Sequence, residues 1–176
     1  MTHPEGSIAE VTSRLELWLS RNRTAMVRIE YVSQYARLEV VNWLRGRVAV
    51  EELVLPPGKH PDRVVDQIID TLKNAAQADQ RTIVSISGFD RVVSEPAAGS
   101  PSLIDWLNAL NFQRESFALA GAGQIWWFPQ HFLGTFVRGA FDLDSWFDMK
   151  LHLTEMPVVK RTELLTAEER DRKSVV

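Results

Sequence analysis

Five short runs of strand character alternate along this chain with stretches whose apolar residues recur every three or four positions. The runs are Met26 to Ser33, Val48 to Leu55, Thr82 to Ser87, Gln124 to Phe128 and Lys150 to Thr154. Between them lie Tyr35 to Arg45, Pro61 to Ala76, Pro101 to Leu119 and a shorter stretch, Pro129 to Val137; one more helical stripe, Ser7 to Ser20, precedes them all. A strand that is followed by a helix of this length returns as a parallel neighbour, by a right-handed crossover. The alternation therefore predicts an α/β fold: a three-layer sandwich with a mostly parallel five-stranded sheet, its first and third strands central and buried.

Local signals agree with this rhythm. Ser7 stands as N-cap with Glu10 three residues on, a capping box, and Ile8, Val11, Leu15, Trp18 and Leu19 form the apolar stripe that follows. Leu38, Val41 and Leu44 mark one face of the second helix, which Gly46 ends. Pro61 suits a first helical position, and Val64, Val65, Ile68, Ile69 and Leu72 are the buried set behind it. Residues 1–160 read as a single α/β domain and residues 161–176 as a polar tail, frayed or disordered because Leu165 to Val176 has almost no apolar anchor.

A chain of 176 residues can bury a sizeable core without staples. The absence of cysteine removes thiol nucleophiles, iron–sulfur clusters and cysteine zinc sites. A net charge of -3 gives no field for holding nucleic acid. The polar first residues lack the pattern of a secretory signal, and no apolar run reaches the roughly 18 residues of a membrane span, so a cytoplasmic protein is expected.

Where a domain of this plan binds a nucleoside triphosphate, its first strand runs into G-x-x-x-x-G-K-[ST]: backbone N–H groups cradle phosphate, lysine neutralises it and the hydroxyl holds magnesium. Here that strand runs into Tyr31-Val32-Ser33-Gln34-Tyr35-Ala36-Arg37, with neither glycine nor lysine. Arg37 reads as a solvated first-turn charge, with anion binding as the alternative. Pro57-Gly58-Lys59-His60 contains Gly-Lys but follows the second strand and lacks the rest of the motif. The third strand ends in Ser87, where a magnesium-directed acid would stand, and Asp90 comes three residues late, as a turn-forming residue beyond Gly88.

Taken together, Gly88-Phe89-Asp90 after the third strand, Leu107 to Glu115, the strand Trp126-Trp127-Phe128-Pro129 and Phe141-Asp142-Leu143-Asp144-Ser145-Trp146-Phe147 resemble the core of STAND NTPases, the signal-transducing regulatory ATPases. The resemblance covers residues 7 to 155, with recognisable motifs only in the second half. Because the phosphate cradle is missing, it is to a degenerate, inactive STAND or P-loop NTPase-like domain of bacterial regulatory and conflict systems. It implies no nucleotide hydrolysis and no cofactor. It also implies that the helix carrying Leu110-Asn111-Phe112-Gln113-Arg114-Glu115 lies beside the nucleotide pocket, where Arg114 either pairs with Glu115 or binds a partner.

Other chemistry is less specific. Asp142, Asp144 and Asp148, with Lys150 nearby, are compatible with a metal site, but their interleaving with Trp146 and Phe147 favours a solvated face whose helix is capped by Asp142 or Asp144. The histidines, His3, His60, His131 and His152, have no metal-ligand spacing, and no serine sits in G-x-S-x-G. Aromatic residues crowd the last third beyond what one helix and two strands readily bury. Part of them is expected at the surface as a protein-binding patch, with Arg114, Trp127, Phe136, Trp146 and Phe147 as candidate interaction residues. The expected function is a non-catalytic protein-interaction or sensor module of a bacterial signalling or defence complex. The alternatives are a nucleotide-binding switch with an atypical pocket near Ser33 to Arg37, Asp90 and Arg114, and a small metal-dependent enzyme using the three aspartates.

Overall fold

The computed structural model describes residues 2–21, 24–79, 81–94 and 102–157. Its elements run α1 (Ile8–Arg21), β1 (Met26–Tyr31), α2 (Gln34–Arg45), β2 (Val50–Val54), α3 (Pro61–Ala78), β3 (Ile83–Ser87), α4 (Phe89–Ser94), α5 (Leu103–Phe112), α6 (Arg114–Ala118), β4 (Gly123–Pro129), α7 (Gln130–Gly139), α8 (Phe141–Ser145) and β5 (Met149–Leu153). The sheet has the order β2-β3-β4-β1-β5 and every pairing is parallel. Both β1 and β3 are internal, as the alternation requires; the central place belongs to β4, buried at every residue.

A strand covered on both faces needs apolar residues at every position, and Ile125-Trp126-Trp127-Phe128 supplies them. Ile125 and Trp127 pack with Val27, Ile29, Leu151 and Leu153 beneath α1 and α2. Trp126 and Phe128 turn the other way and join Val84, Ile86 and the helices that follow β2, β3 and β4. On that face Phe89 stacks on Trp126 with ring centroids 4.8 Å apart, and Phe136 stacks on Phe128 at 4.2 Å. Such pairs contribute roughly 0.5–1.5 kcal/mol each beyond the area they bury. The two indoles of β4 are paired: Trp126 Nε1 donates to Gln124 Oε1 and Trp127 Nε1 to Ser85 Oγ, each at 2.9 Å.

Six helices share this aromatic face, so it buries far more than one helix and two strands would. Trp127, Phe136 and Phe147 are consequently core residues and not the surface residues that their density suggested. The single helix expected over Pro101 to Leu119 is two, broken at Gln113, whose N–H reaches back only three residues to Leu110 O. Arg114 Nη1 donates to Asn111 O at the break, and not to Glu115. The six-residue α4 was hidden in a segment that reads as a turn, and Asp90 lies in its first turn.

The buried face of α2 is set by Ala36, Arg37, Val40, Val41 and Leu44, which turns Leu38 outward. At α1 the capping box is partial: Ser7 Oγ accepts from Glu10 N, while Glu10 Oε2 accepts from Gly6 N. Neither aspartate caps α8, whose N-cap is Ala140 without a side-chain bond. The segment 161–176 lies outside the described residues.

Candidate functional site

The crossover after β1 places α2 on one face of the sheet and the crossover after β4 places α7 on the other. Strands β1 and β4 are neighbours, so their carboxyl ends form the switch point at which open α/β sheets usually bind ligands. A cleft of about 270 Å³ lies on that edge, lined by Tyr31, Gln34, Arg37, Ser87, Asp90 and Arg91 among others. It is smaller than the roughly 300–1,000 Å³ that holds a drug-sized molecule.

The β1–α2 connection carries no left-handed residue; Ser33 is extended, and its Oγ accepts the Ala36 N–H at 3.4 Å. One of the amide donors that a phosphate would use is thereby taken. Gln34 Oε1 accepts from Arg37 Nε at 3.1 Å, so the first turn of α2 bonds to itself. Arg37 is buried, not the solvated charge expected: its guanidinium carbon sits 5.8 Å from the Trp127 ring centroid and 6.0 Å from that of Tyr31, and Nη1 is 3.7 Å from Glu52. Burial pushes the Tyr31 phenol up; Arg37 opposes that rise and Asp90 adds to it.

Gly88 closes β3 at φ +95, where a Cβ would come within 3.0 Å of Leu55 O; this is the one backbone in the cleft that requires glycine. Asp90 points toward α7, its carboxylate 3.8 Å from His131 Nε2. Of the residues of the pocket reading, Gln34, Arg37 and Asp90 line the cleft. Arg114 does not: α6 leads into the amino end of β4, at the opposite edge of the sheet. In this chain the helix carrying Arg114 and Glu115 is not beside the cleft.

The three aspartates do not converge. Asp144 is buried between Arg28 Nε at 2.9 Å and Lys150 Nζ at 3.0 Å. Asp142 accepts from Asn111 Nδ2 at 3.2 Å, and Asp148 from the Met26 N–H at 2.9 Å. Each carboxylate fastens a different joint, and among the described residues no group of three acidic or histidine side chains is placed to hold a metal. Arg28 lies close to Asp144 without hydrogen-bond alignment at Nε. Burial lowers its pKa, while Asp144 and then Glu30 pull it back up.

Exposed apolar side chains occur beside the carboxyl ends of the strands, at Val32, Tyr35 and Val54, but the most exposed lie on the segments that enter strands at their amino ends. Phe112, where α5 stops, is 80% exposed, and Leu119, after α6, is 83% exposed. Phe141 at the start of α8 is 69% exposed and Trp146 38%, so Trp146 alone of the four aromatic candidates reaches solvent to any extent. Asn111 ties the two groups together, since its Oδ1 accepts the Leu143 N–H at 2.8 Å while its amide holds Asp142. Residues that sequence reading passed over, Phe112 and Phe141, are flanked by this joint. The signal was present: a large aromatic at each end of a helix stands outside the apolar stripe. No protein-family model matches the chain, and none of the curated proteins matches it.

Proposed function

We propose that this chain is a non-catalytic interaction or sensor module of a bacterial signalling or defence complex, which meets its protein partner through the amino-end surface of the sheet. The observation that carries this reading is the exposure of Phe112, Leu119, Phe141 and Trp146 on that one edge, where aromatic side chains are the usual anchors of protein contacts. Support also comes from the opposite edge, where Ser33, Gln34 and Arg37 occupy the positions of a phosphate cradle. A second reading, a switch that takes a small anion, draws on the same cleft, since Arg37, Arg91 and the start of α2 meet there.

Capture from the native host followed by mass spectrometry tests the first reading, with wild type compared against Phe112→Ser/Phe141→Ser. The double variant should lose the partner while its melting temperature stays near that of wild type. Equal capture by both proteins contradicts the reading. Isothermal titration with ATP and ADP in magnesium tests the second: binding tighter than about 10 μM, roughly 7 kcal/mol, would establish a ligand switch instead.

A further inference from the structure

A groove of about 400 Å³ runs between the second half of α1 and the start of β5, close to the amino-end surface and sharing Asp148 with the smaller cleft beside Trp146. Arg14, Leu17, Trp18 and Arg21 line it at helical spacing, so they form one stripe of α1; Met149 closes the far side. Leu17 is half exposed beside the covered stripe residues Val11, Leu15 and Trp18. The floor is Trp18, whose indole Nε1 is buried without a hydrogen-bond partner.

Charge decides what fits such a groove. Arg14 and Arg21 stand two turns apart at either end of Leu17 and Trp18, and among the described residues neither has a carboxylate within 4 Å. The acidic group in the groove, Asp148, is engaged with the Met26 N–H. An apolar strip bracketed by two unpaired guanidinium groups is complementary to a segment with aliphatic side chains in the middle and carboxylates about two turns apart. A concave lining suits a helix laid along it better than a membrane surface.

Resting on the interaction reading above, we infer that this groove takes an acidic amphipathic helix of the partner protein, with leucine-type anchors against Leu17 and Trp18 and glutamate or aspartate against Arg14 and Arg21. The probe is a synthetic helical peptide of about 14 residues carrying Leu pairs flanked by Glu, beside a counterpart with Lys in place of Glu, each followed by tryptophan fluorescence. The Glu peptide should bind at least about tenfold more tightly than the Lys peptide, and weaken as salt is raised. Arg14→Glu/Arg21→Glu, both at exposed positions, should reverse that preference with the melting temperature unchanged. Equal affinity for the two peptides, no binding of the Glu peptide, or arginine-dependent binding to phosphatidylglycerol vesicles alone overturns the inference. A native partner that survives Arg14→Glu/Arg21→Glu but is lost with Phe112→Ser/Phe141→Ser overturns this inference while leaving the interaction reading intact.

Discussion

Arg28 is a buried charge on which the fold depends. It sits in the middle of β1, where a charge looks out of place, and faces Asp144 under α8 while Lys150 closes the other carboxylate oxygen. Removing one partner of a buried pair leaves an uncompensated charge, which costs about 3–5 kcal/mol; replacing both by apolar groups of similar size is often nearly neutral. Lys150 offsets part of that cost, so Arg28→Ala should destabilise by about 3 kcal/mol in urea denaturation, and Arg28→Met/Asp144→Leu should return to within about 1 kcal/mol of wild type. Tyr31 gives a pH test. Its folded pKa is raised, so the unfolded chain gives up the proton first: the stability that Tyr31 contributes is complete below its ordinary value of 10.0 and is lost as pH rises through the folded value. Tyr31→Phe should therefore lose less stability than wild type when the pH is raised above about 10 in matched thermal melts.

At the scale of elements, the turn after β3 fixes how the cleft is closed. Gly88 holds a left-handed conformation against Leu55 O, and Gly88→Ala should cost about 1–3 kcal/mol, read as a lower urea midpoint with unchanged slope. The strands and the longer helices were legible in the sequence because period two and period 3.6 are strong signals over such lengths; α3, with five apolar residues on one face, is the clearest case. Short elements were not. Six residues of α4 carry too few turns to display a period, and the break between α5 and α6 lies beside Asn111, whose partner Leu143 is 32 residues away. The site was legible in what it lacks, a cradle after β1, because glycine and lysine are read directly. Burial of Phe136 and Phe147 was not, since it depends on six helices sharing one face, nor was that of Trp127, which depends on α1 and α2 covering the other.

For the whole molecule, the parallel sheet makes the two ends of the strands chemically different. The carboxyl end bonds to itself through Ser33, Gln34, Arg37 and Asp90 and exposes Val32, Tyr35 and Val54; the amino end leaves the larger aromatic group, Phe112, Phe141 and Trp146, with Leu119, to solvent. The sheet interior tolerates no unpaired charge, so Ile86→Asp should unfold the domain and abolish its cooperative thermal transition. The claim that partner contact belongs to the amino end is tested most directly by hydrogen–deuterium exchange of the chain with and without the partner captured from its native host. Protection is predicted in peptides spanning Leu110 to Leu119 and Phe141 to Met149, with Tyr31 to Arg37 and Ser87 to Arg91 unchanged. Protection confined to the latter two segments would contradict the account and return the functional site to the cleft.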